Sequence, residues 1–267
     1  MGVGASGGMG GGMPSFSRQE TSAARLKIQW EYYVKVQEER LDRETALREV
    51  KGRDPRPVLL LRDCDTCVGK DDALLESSME DEKILLASRW FHCVRVDKTV
   101  LKSNHPLNAL FPDNNAPHMI LYSNDGAVAE PLGGRPSAKK MWSVMNKVLT
   151  RDYVKSAEQA VAKLVALLSR FDAIDSRKEE LTGQREKTED PKKASALDKE
   201  LRTLADQMKK AKEDEKKVAD LGLRGTAGVS KPVDLDAEAA EAVRGSGGKK
   251  GSLLDKVKKA EGQEESK

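Results

Sequence analysis

This sequence has few aromatic side chains, no long apolar run and no large excess of charge of either sign. Aromatic residues make up 4% of the 267 residues and charged residues 34%, so much of the chain is predicted to be solvated rather than core. No apolar run approaches the roughly 20 residues that a membrane-spanning helix needs, so no membrane span is predicted. The 47 basic and 44 acidic residues nearly cancel, which gives no electrostatic reason to expect nucleic-acid binding.

Cysteine is also scarce, with three residues, Cys64, Cys67 and Cys93. The disulfide framework of a small secreted domain needs more cysteines than this. The first residues, MGVGASGGMGGGMPS, lack the basic-then-apolar order of a secretory signal. We therefore expect a cytoplasmic protein with one local cysteine pair and one buried thiol. Gly2 and Ser6 fit the N-myristoylation pattern, but a flexible Gly-rich tail is the simpler interpretation.

Composition and periodicity divide the chain into five segments. A Gly-rich disordered tail is predicted over residues 1–17 and an N-terminal helix over residues 18–51. Residues 52–150 carry the signals of an α/β domain, and residues 151–222 those of a helical hairpin. Residues 223–267, rich in Gly, Lys and Glu, are predicted to be mostly disordered.

The α/β segment is predicted to form a small mixed sheet with helices on both faces. A strand joined to a second strand through helices favours parallel pairing, whereas a hairpin requires antiparallel pairing. The hairpin turn is predicted at Asp125-Gly126. The predicted elements are a buried strand over residues 57–63, helices at about 70–78 and 80–90, a strand over 91–97, a hairpin over 118–132 and a helix over 137–149.

The C-terminal helical segment has an amphipathic pattern interrupted once by proline. VAKLVALLSRFDAI (161–174) has an apolar stripe, TEDPKK (188–193) breaks it, and leucines resume it from Leu197 to Leu204. This order predicts an antiparallel helical (coiled-coil) hairpin. Two outcomes are open for its apolar seam, namely contact with a second copy or another protein, and packing within one chain.

The stretch LLLRDCDTCVGKDDALL (59–75) places a CxxC pair between a predicted strand and a predicted helix. On the first turn of a helix, Cys64 would be a thiolate stabilised by free N–H groups and by the helix dipole. Cys67, one turn later, would be close enough to resolve a mixed disulfide. The carboxylates of Asp63 and Asp65 oppose the thiolate, so we predict a reducing or slow pair rather than a strong oxidant.

Together these features resemble the thioredoxin-like superfamily over about residues 56–149. The match comprises PVLLL, CDTC and the helix after it, FHCVRVD, NNAPHMILY, the turn NDG, LGG and the last helix. The resemblance implies a thioredoxin-like mixed sheet flanked by helices, with Cys64 as nucleophile and Cys67 as resolving thiol. It also implies that a cis Pro117, with Ala116, lines the groove for a protein or small disulfide substrate. No cofactor is expected.

The chain departs from the usual thioredoxin pattern around the pair. Asp63 replaces the aromatic residue that usually precedes the first cysteine, and Asp65-Thr66 replaces Gly-Pro between the cysteines. The buried carboxylate that assists proton transfer in thioredoxins has no convincing match. These departures bear on the rate of catalysis.

Two other interpretations of the cysteines are open. CxxC spacing suits zinc, and the further candidate ligands are His92, Cys93 and His118, although strand alternation puts His92 and Cys93 on opposite faces. Alternatively, the chain is a non-catalytic interaction protein, in which the thioredoxin-like domain is a platform and the hairpin is the contact. Reversible oxidation of the pair would separate an enzyme from a platform.

Overall fold

The computed structural model describes residues 18–34, 39–63, 81–111, 116–133 and 136–225. Those residues form six α-helices, five β-strands and, between β3 and β4, two 3-10 helices at Lys98–Leu101 and Pro106–Leu110. In chain order the main elements are α1 (Glu20–Ala24), β1 (Trp30–Tyr32), α2 (Arg43–Lys51), β2 (Val58–Arg62), α3 (Glu82–Ser88), β3 (His92–Val96), β4 (Met119–Tyr122), β5 (Ala129–Leu132), α4 (Ala138–Asp152), α5 (Ala157–Glu186) and α6 (Pro191–Ala219). The predicted helix at about 70–78 and both predicted tails lie outside the described residues.

The strands form one mixed sheet in the order β1-β3-β2-β4-β5. Strands β1, β3 and β2 are parallel, while β4 pairs antiparallel with β2 and β5 pairs antiparallel with β4. Strand β2 is therefore central, with β3 on one side and β4 on the other. The predicted mixed α/β sheet with flanking helices is confirmed.

Both faces of β2 are buried, which explains why its sequence is continuously apolar from Val58 to Leu61 rather than alternating. Leu59 and Leu61 belong to a core cluster under α3, α4 and the first half of α5. Val58 and Leu60 belong to a second cluster under α2 and the two 3-10 helices. Successive residues of β2 thus fill opposite faces of the sheet, as the two-residue period of a strand requires.

The predicted helix over residues 18–51 is wrong. The described residues of that range form α1, β1 and α2, and Trp30–Tyr32 pairs with Cys93–Arg95 at the edge of the sheet. Trp30 and Tyr33 fit helical spacing, but aromatic and β-branched residues favour a strand when a neighbouring strand is available to pair with them. The predicted end of the helix is retained, because α2 ends at Gly52, where φ is +53°.

The predicted hairpin is confirmed in β4 and β5. The Ser123 amide donates to the Val128 carbonyl at 3.0 Å, and the Gly126 amide donates to the Ser123 carbonyl at 2.9 Å. Gly126 has a φ of +72°, and a Cβ there would lie 2.5 Å from Leu47 Cδ2. The positive φ therefore favours glycine at this turn, and a larger residue would also have to displace the end of the Leu47 side chain.

Helices α5 and α6 pack against each other in opposite directions. Asp190 caps α6 by accepting from the Lys192 amide at 2.9 Å, and Pro191 is the first helical residue. The ion pairs between the two helices join Arg170 to Asp214, Arg177 to Glu200, and Arg185 to Asp198. No helix formed by the described residues is long and apolar enough to cross a membrane.

The first half of α5 is part of the core beneath the sheet. Val161, Leu164 and Leu168 are almost completely buried in the cluster that contains Leu59 and Leu61. After α6, the chain returns to the same cluster through Leu221 and Leu223. The two long helices are thus joined to the sheet by shared apolar packing as well as by the chain.

Candidate functional site

The predicted nucleophile and resolving thiol, Cys64 and Cys67, lie outside the described residues. The chain leading to them is described as far as Asp63, directly after β2. Leu61 of β2 is opposite Met119 of β4, and the Arg62 amide donates to the His118 carbonyl at 2.8 Å. The end of β2 therefore lies beside Pro117 and His118, at the start of the neighbouring antiparallel strand.

Arg62 joins the two sides of this sheet end. Its guanidinium donates to the Pro117 carbonyl, the Ala116 carbonyl and the Asp63 carbonyl, each at 3.3 Å. The residue is only 7% exposed, and burial lowers the pKa of the guanidinium. Carbonyl oxygens satisfy its N–H groups without neutralising its charge, and no carboxylate among the described residues pairs with Arg62. The positive charge is thus held at the end of β2, two residues before Cys64 in the sequence.

Asp63 is engaged by a second arginine from the neighbouring strand. Arg95 Nη2 lies 2.7 Å and Arg95 Nε 3.2 Å from Asp63 Oδ1, and the guanidinium lies over the Tyr32 ring at 5.3 Å from its centre. The Asp63 amide also donates to the Val96 carbonyl at 2.9 Å. Since Arg95 offsets the Asp63 charge, this carboxylate opposes a neighbouring thiolate less than the sequence alone indicates.

The peptide bond before Pro117 is trans, because no cis peptide bond occurs among the described residues. The expected cis Pro117 is therefore wrong. An X–Pro bond favours trans by about 0.5–1 kcal/mol unless the surroundings select cis. Here the Ala116 and Pro117 carbonyls are both held by Arg62 with the bond in its trans form.

His118 adds a neutral imidazole to the same sheet end. Burial, and then the positive charge of Arg62, lower the pKa of His118, so the ring is uncharged near neutral pH. Its Nδ1 atom is buried and has no hydrogen-bond partner among the described residues. The described part of the site is therefore two arginines, one carboxylate, one neutral histidine and the Ala116-Pro117 backbone.

The proposed further metal ligands do not converge. His92 Nε2 lies 2.8 Å from Glu31 Oε2. His92 is paired with Val58 at the start of β2, whereas His118 lies beside the end of β2. Within the ranges that the structure describes, no three His, Cys, Asp or Glu residues are grouped as a metal site would require. The metal interpretation therefore gains no support from this part of the chain.

Cys93 is a buried thiol, as predicted. It packs in the larger core cluster, and burial raises its pKa to about 12. A thiol with that pKa carries almost no thiolate near neutral pH, and the core blocks access to it. Cys93 is therefore a natural internal control for experiments on the other two cysteines.

The sequence patterns did not predict a site role for Arg62, Arg95 or Tyr32. The available signal was a charged residue in a strand that is otherwise apolar, since Arg62 follows VLLL and Arg95 stands between two valines. Arginine is rarely buried unless its donors are satisfied, so such positions indicate a specific polar arrangement. Tyr32 was assigned to a helix, which separated it from Arg95.

Comparison with known proteins gives no relative. No family model, no curated protein and no solved structure matches the chain. Function must therefore be inferred from the arrangement at this end of the sheet.

Proposed function

We propose that the chain is a thiol–disulfide oxidoreductase with a thioredoxin-like domain, in which Cys64 is the nucleophile and Cys67 the resolving thiol. One observation carries the proposal. The CxxC directly follows the central strand, whose end lies beside Ala116 and Pro117 at the start of the adjacent antiparallel strand. The resemblance to the thioredoxin-like superfamily implies this relation between cysteine pair, proline and sheet, although it implies a cis bond before Pro117 where this chain has a trans bond.

The reaction would be a two-step exchange. The Cys64 thiolate attacks one sulfur of a substrate disulfide, forms a mixed disulfide and releases the other substrate sulfur as a thiolate. The Cys67 thiolate then attacks Cys64 sulfur and releases the second substrate thiolate, which takes up a proton. The substrate gains two electrons, and the chain is left with a Cys64–Cys67 disulfide. A dithiol reductant must reduce that disulfide before another cycle.

The charges at the end of β2 support a reactive Cys64. Among the described residues, Arg62 and Arg95 supply two positive charges against the carboxylate of Asp63, within two residues or one neighbouring strand of Cys64. Nearby positive charge favours a thiolate and increases its fraction near neutral pH. Arg95 thus offsets the opposing effect of Asp63, while Asp65 remains a carboxylate next to Cys64 in the sequence.

Substrate contact would come from the backbone at Ala116 and Pro117. Arg62 fixes both carbonyls, so this segment presents a defined edge beside the end of β2, the strand that leads to the cysteine pair in the sequence. An extended peptide carrying a disulfide can pair with such an edge through main-chain hydrogen bonds. We therefore propose a protein or peptide disulfide as the substrate and a reducing compartment such as the cytoplasm as the setting.

Helices α5 and α6 would form a coiled-coil hairpin that needs no partner for its seam. Ile174, Leu181 and Leu204 are buried in a cluster that α5 and α6 make with each other. Of the two outcomes for this seam, packing within one chain is therefore favoured over dimerisation. The proposed redox function does not depend on a second copy.

A redox titration tests the proposed function. The full chain is equilibrated in graded dithiothreitol or glutathione buffers, quenched, and alkylated so that each free thiol adds a fixed mass. We expect one reversible two-electron transition involving two thiols. Cys64→Ser and Cys67→Ser should each abolish it, whereas the matched control Cys93→Ala should keep it. Cys93 should be alkylated only after unfolding, because it is buried with a pKa of about 12.

Absence of an intramolecular disulfide at every potential would contradict the proposal. The non-catalytic platform would then be the better hypothesis, unless protein purified without added ions contains stoichiometric zinc. If the titration is positive, the variant Arg95→Gln tests whether the charges at the end of β2 affect Cys64. This change leaves Asp63 without its arginine partner, so the alkylation rate of Cys64 near neutral pH should fall relative to Arg202→Gln, a control on the exposed side of α6.

A further inference from the structure

A second polar site lies at the end of β2 opposite the CxxC. Val58, the first residue of β2, is paired with Tyr122, the last residue of β4, so the turn after β4 lies at the start of the central strand. Because a strand rises roughly 3.3 Å per residue, the two ends of β2 are about 13 Å apart, and this second site is separate from the end that leads to the CxxC. A cleft of about 470 Å³ opens here, and its lining includes Lys51, Asn124, Asp125, Arg151, Asp152 and Arg224.

The chain after α6 is held so that Arg224 reaches this cleft. The Val154 amide donates to the Gly222 carbonyl at 2.8 Å, and the Lys155 amide to the Leu221 carbonyl at 3.0 Å. The Arg224 amide donates to the Asp152 carbonyl at 2.7 Å. Arg224 Nε then donates to the Tyr153 carbonyl at 2.8 Å. Hydrogen bonds to four backbone carbonyls thus hold the exposed Arg224 in place at the edge of the cleft.

Two of the three cations in the cleft have no carboxylate partner among the described residues. Lys51 Nζ contacts the Asn124 carbonyl, and Arg224 contacts the Tyr153 carbonyl. Both contacts are to neutral oxygens, which position the side chains without neutralising them, although the Lys51 charge also acts on Asp152, whose pKa it lowers against the larger effect of burial. Arg151 is different, because it donates to Asp125 Oδ2 and to Ser123 Oγ, each at 2.7 Å.

The two carboxylates in the lining are already engaged. Asp125 accepts from Arg151 and from the Ala127 amide at 3.0 Å. Asp152 is 3% exposed and accepts from the Asn124 amide at 2.6 Å. Burial raises the pKa of Asp152, which favours its neutral form. With both carboxylates ionised the five side chains still carry one net positive charge, from three cations against two anions.

We propose that this cleft binds a small oxyanion, either a phosphate group or a carboxylate group of a soluble metabolite-sized ligand. Lys51 supplies a point charge and Arg224 supplies the paired N–H groups that match two oxygens of such an anion. The cleft volume suits a small molecule rather than a protein segment. This proposal does not rest on the redox function, because none of its residues lies at the CxxC end of the sheet.

The test is calorimetric titration of the full chain with two probes, inorganic phosphate and citrate, at constant ionic strength. We expect saturable binding of at least one probe, and the tighter probe identifies the phosphate or the carboxylate source. Arg224→Gln should weaken that binding about tenfold, since a hydrogen-bonded ionic contact contributes on that scale. Lys51→Gln should weaken it in the same direction.

Three controls decide the outcome. Arg202→Gln removes the same charge from the exposed side of α6 and should leave binding unchanged. Cys64→Ser should also leave it unchanged, so failure of the redox proposal cannot be mistaken for failure of this one. Unaltered thermal unfolding midpoints show that the variants are folded. Absence of saturable binding by both probes, or equal weakening by Arg224→Gln and Arg202→Gln, would overturn the proposal.

Discussion

Helix α5 passes through two different environments along its length. Its first half packs Val161, Leu164 and Leu168 against the sheet, α3 and α4, in the largest core cluster of the described residues. Its second half buries Ile174 and Leu181 mainly against Leu204 of α6. The first half of the helix is rich in apolar residues, whereas the second half has only Ile174 and Leu181 as large apolar side chains, and what covers the apolar face also differs. Local stability should therefore fall along α5 from the sheet to the far turn.

A buried ionic cluster marks the boundary between the two environments. Arg25 Nε lies 2.6 Å and Arg89 Nη1 3.2 Å from the two oxygens of Glu215. Arg25 also lies over the Phe171 ring, 4.3 Å from its centre. Glu215 thus links α6 to the residues that follow α1 and α3, because its one carboxylate pairs with two guanidinium groups. Burial lowers the pKa of Arg89, as expected where positive charge exceeds negative charge.

The largest effect is expected from Leu164→Ala in the sheet-facing half. Leu164 is 1% exposed, so truncation removes buried methyl groups and leaves a cavity that the sheet cannot fill. We expect the free energy of unfolding to fall by about 4 kcal/mol. Chemical denaturation followed by circular dichroism measures this. A loss below about 1 kcal/mol would mean that the first half of α5 is not part of the cooperative core.

The next largest effect is expected from Glu215→Gln at the boundary. This change leaves the buried charges of Arg25 and Arg89 without their shared carboxylate, and should destabilise the chain by about 3 kcal/mol. Its matched control is Asp214→Asn on the same helix. Asp214 is 37% exposed and pairs with Arg170 at 3.3 Å, so its loss should cost less than about 1 kcal/mol. Similar losses for both variants would remove the distinction between boundary and surface.

The sequence predicted most of the sheet and both long helices from local patterns alone. Strands β2, β3, β4 and β5 have apolar runs or a turn signal, and α4 to α6 have helical periodicity with capping residues. What it missed depends on distant pairing. Strand β1 is stable because β3 lies beside it. Arg95 contacts Asp63 only because β3 pairs with β2, the strand that Asp63 follows. Neither pairing partner can be identified from a local pattern. The spacing of residues 18–51 therefore predicted a helix, and the charged residues within apolar strands marked Arg62 and Arg95 without indicating Asp63.

A smaller effect is expected from Leu181→Ala in the far half of α5. Leu181 is fully buried, but its neighbours belong to only one other helix and can close around the cavity. We expect a loss of about 2 kcal/mol. Native-state hydrogen exchange is the sharper measurement. Protection should fall for amides beyond Ile174 and stay unchanged in β2, whereas Leu164→Ala should lower protection in both places. Equal loss in β2 for both variants would make α5 one uniform cooperative unit.

The smallest effect is expected at the solvent-exposed ion pair between Arg185 and Asp198, which joins the two helices near their turn. Arg185 Nε lies 2.9 Å from Asp198 Oδ1, and the two side chains are 41% and 46% exposed. A double-mutant cycle with Arg185→Gln and Asp198→Asn should give a coupling energy of about 0.5 kcal/mol. The coupling should decrease in 1 M salt, because water and ions screen the pair. A value comparable to that of the Glu215 cluster would mean that charge, rather than the buried apolar seam, holds the far halves of α5 and α6 together.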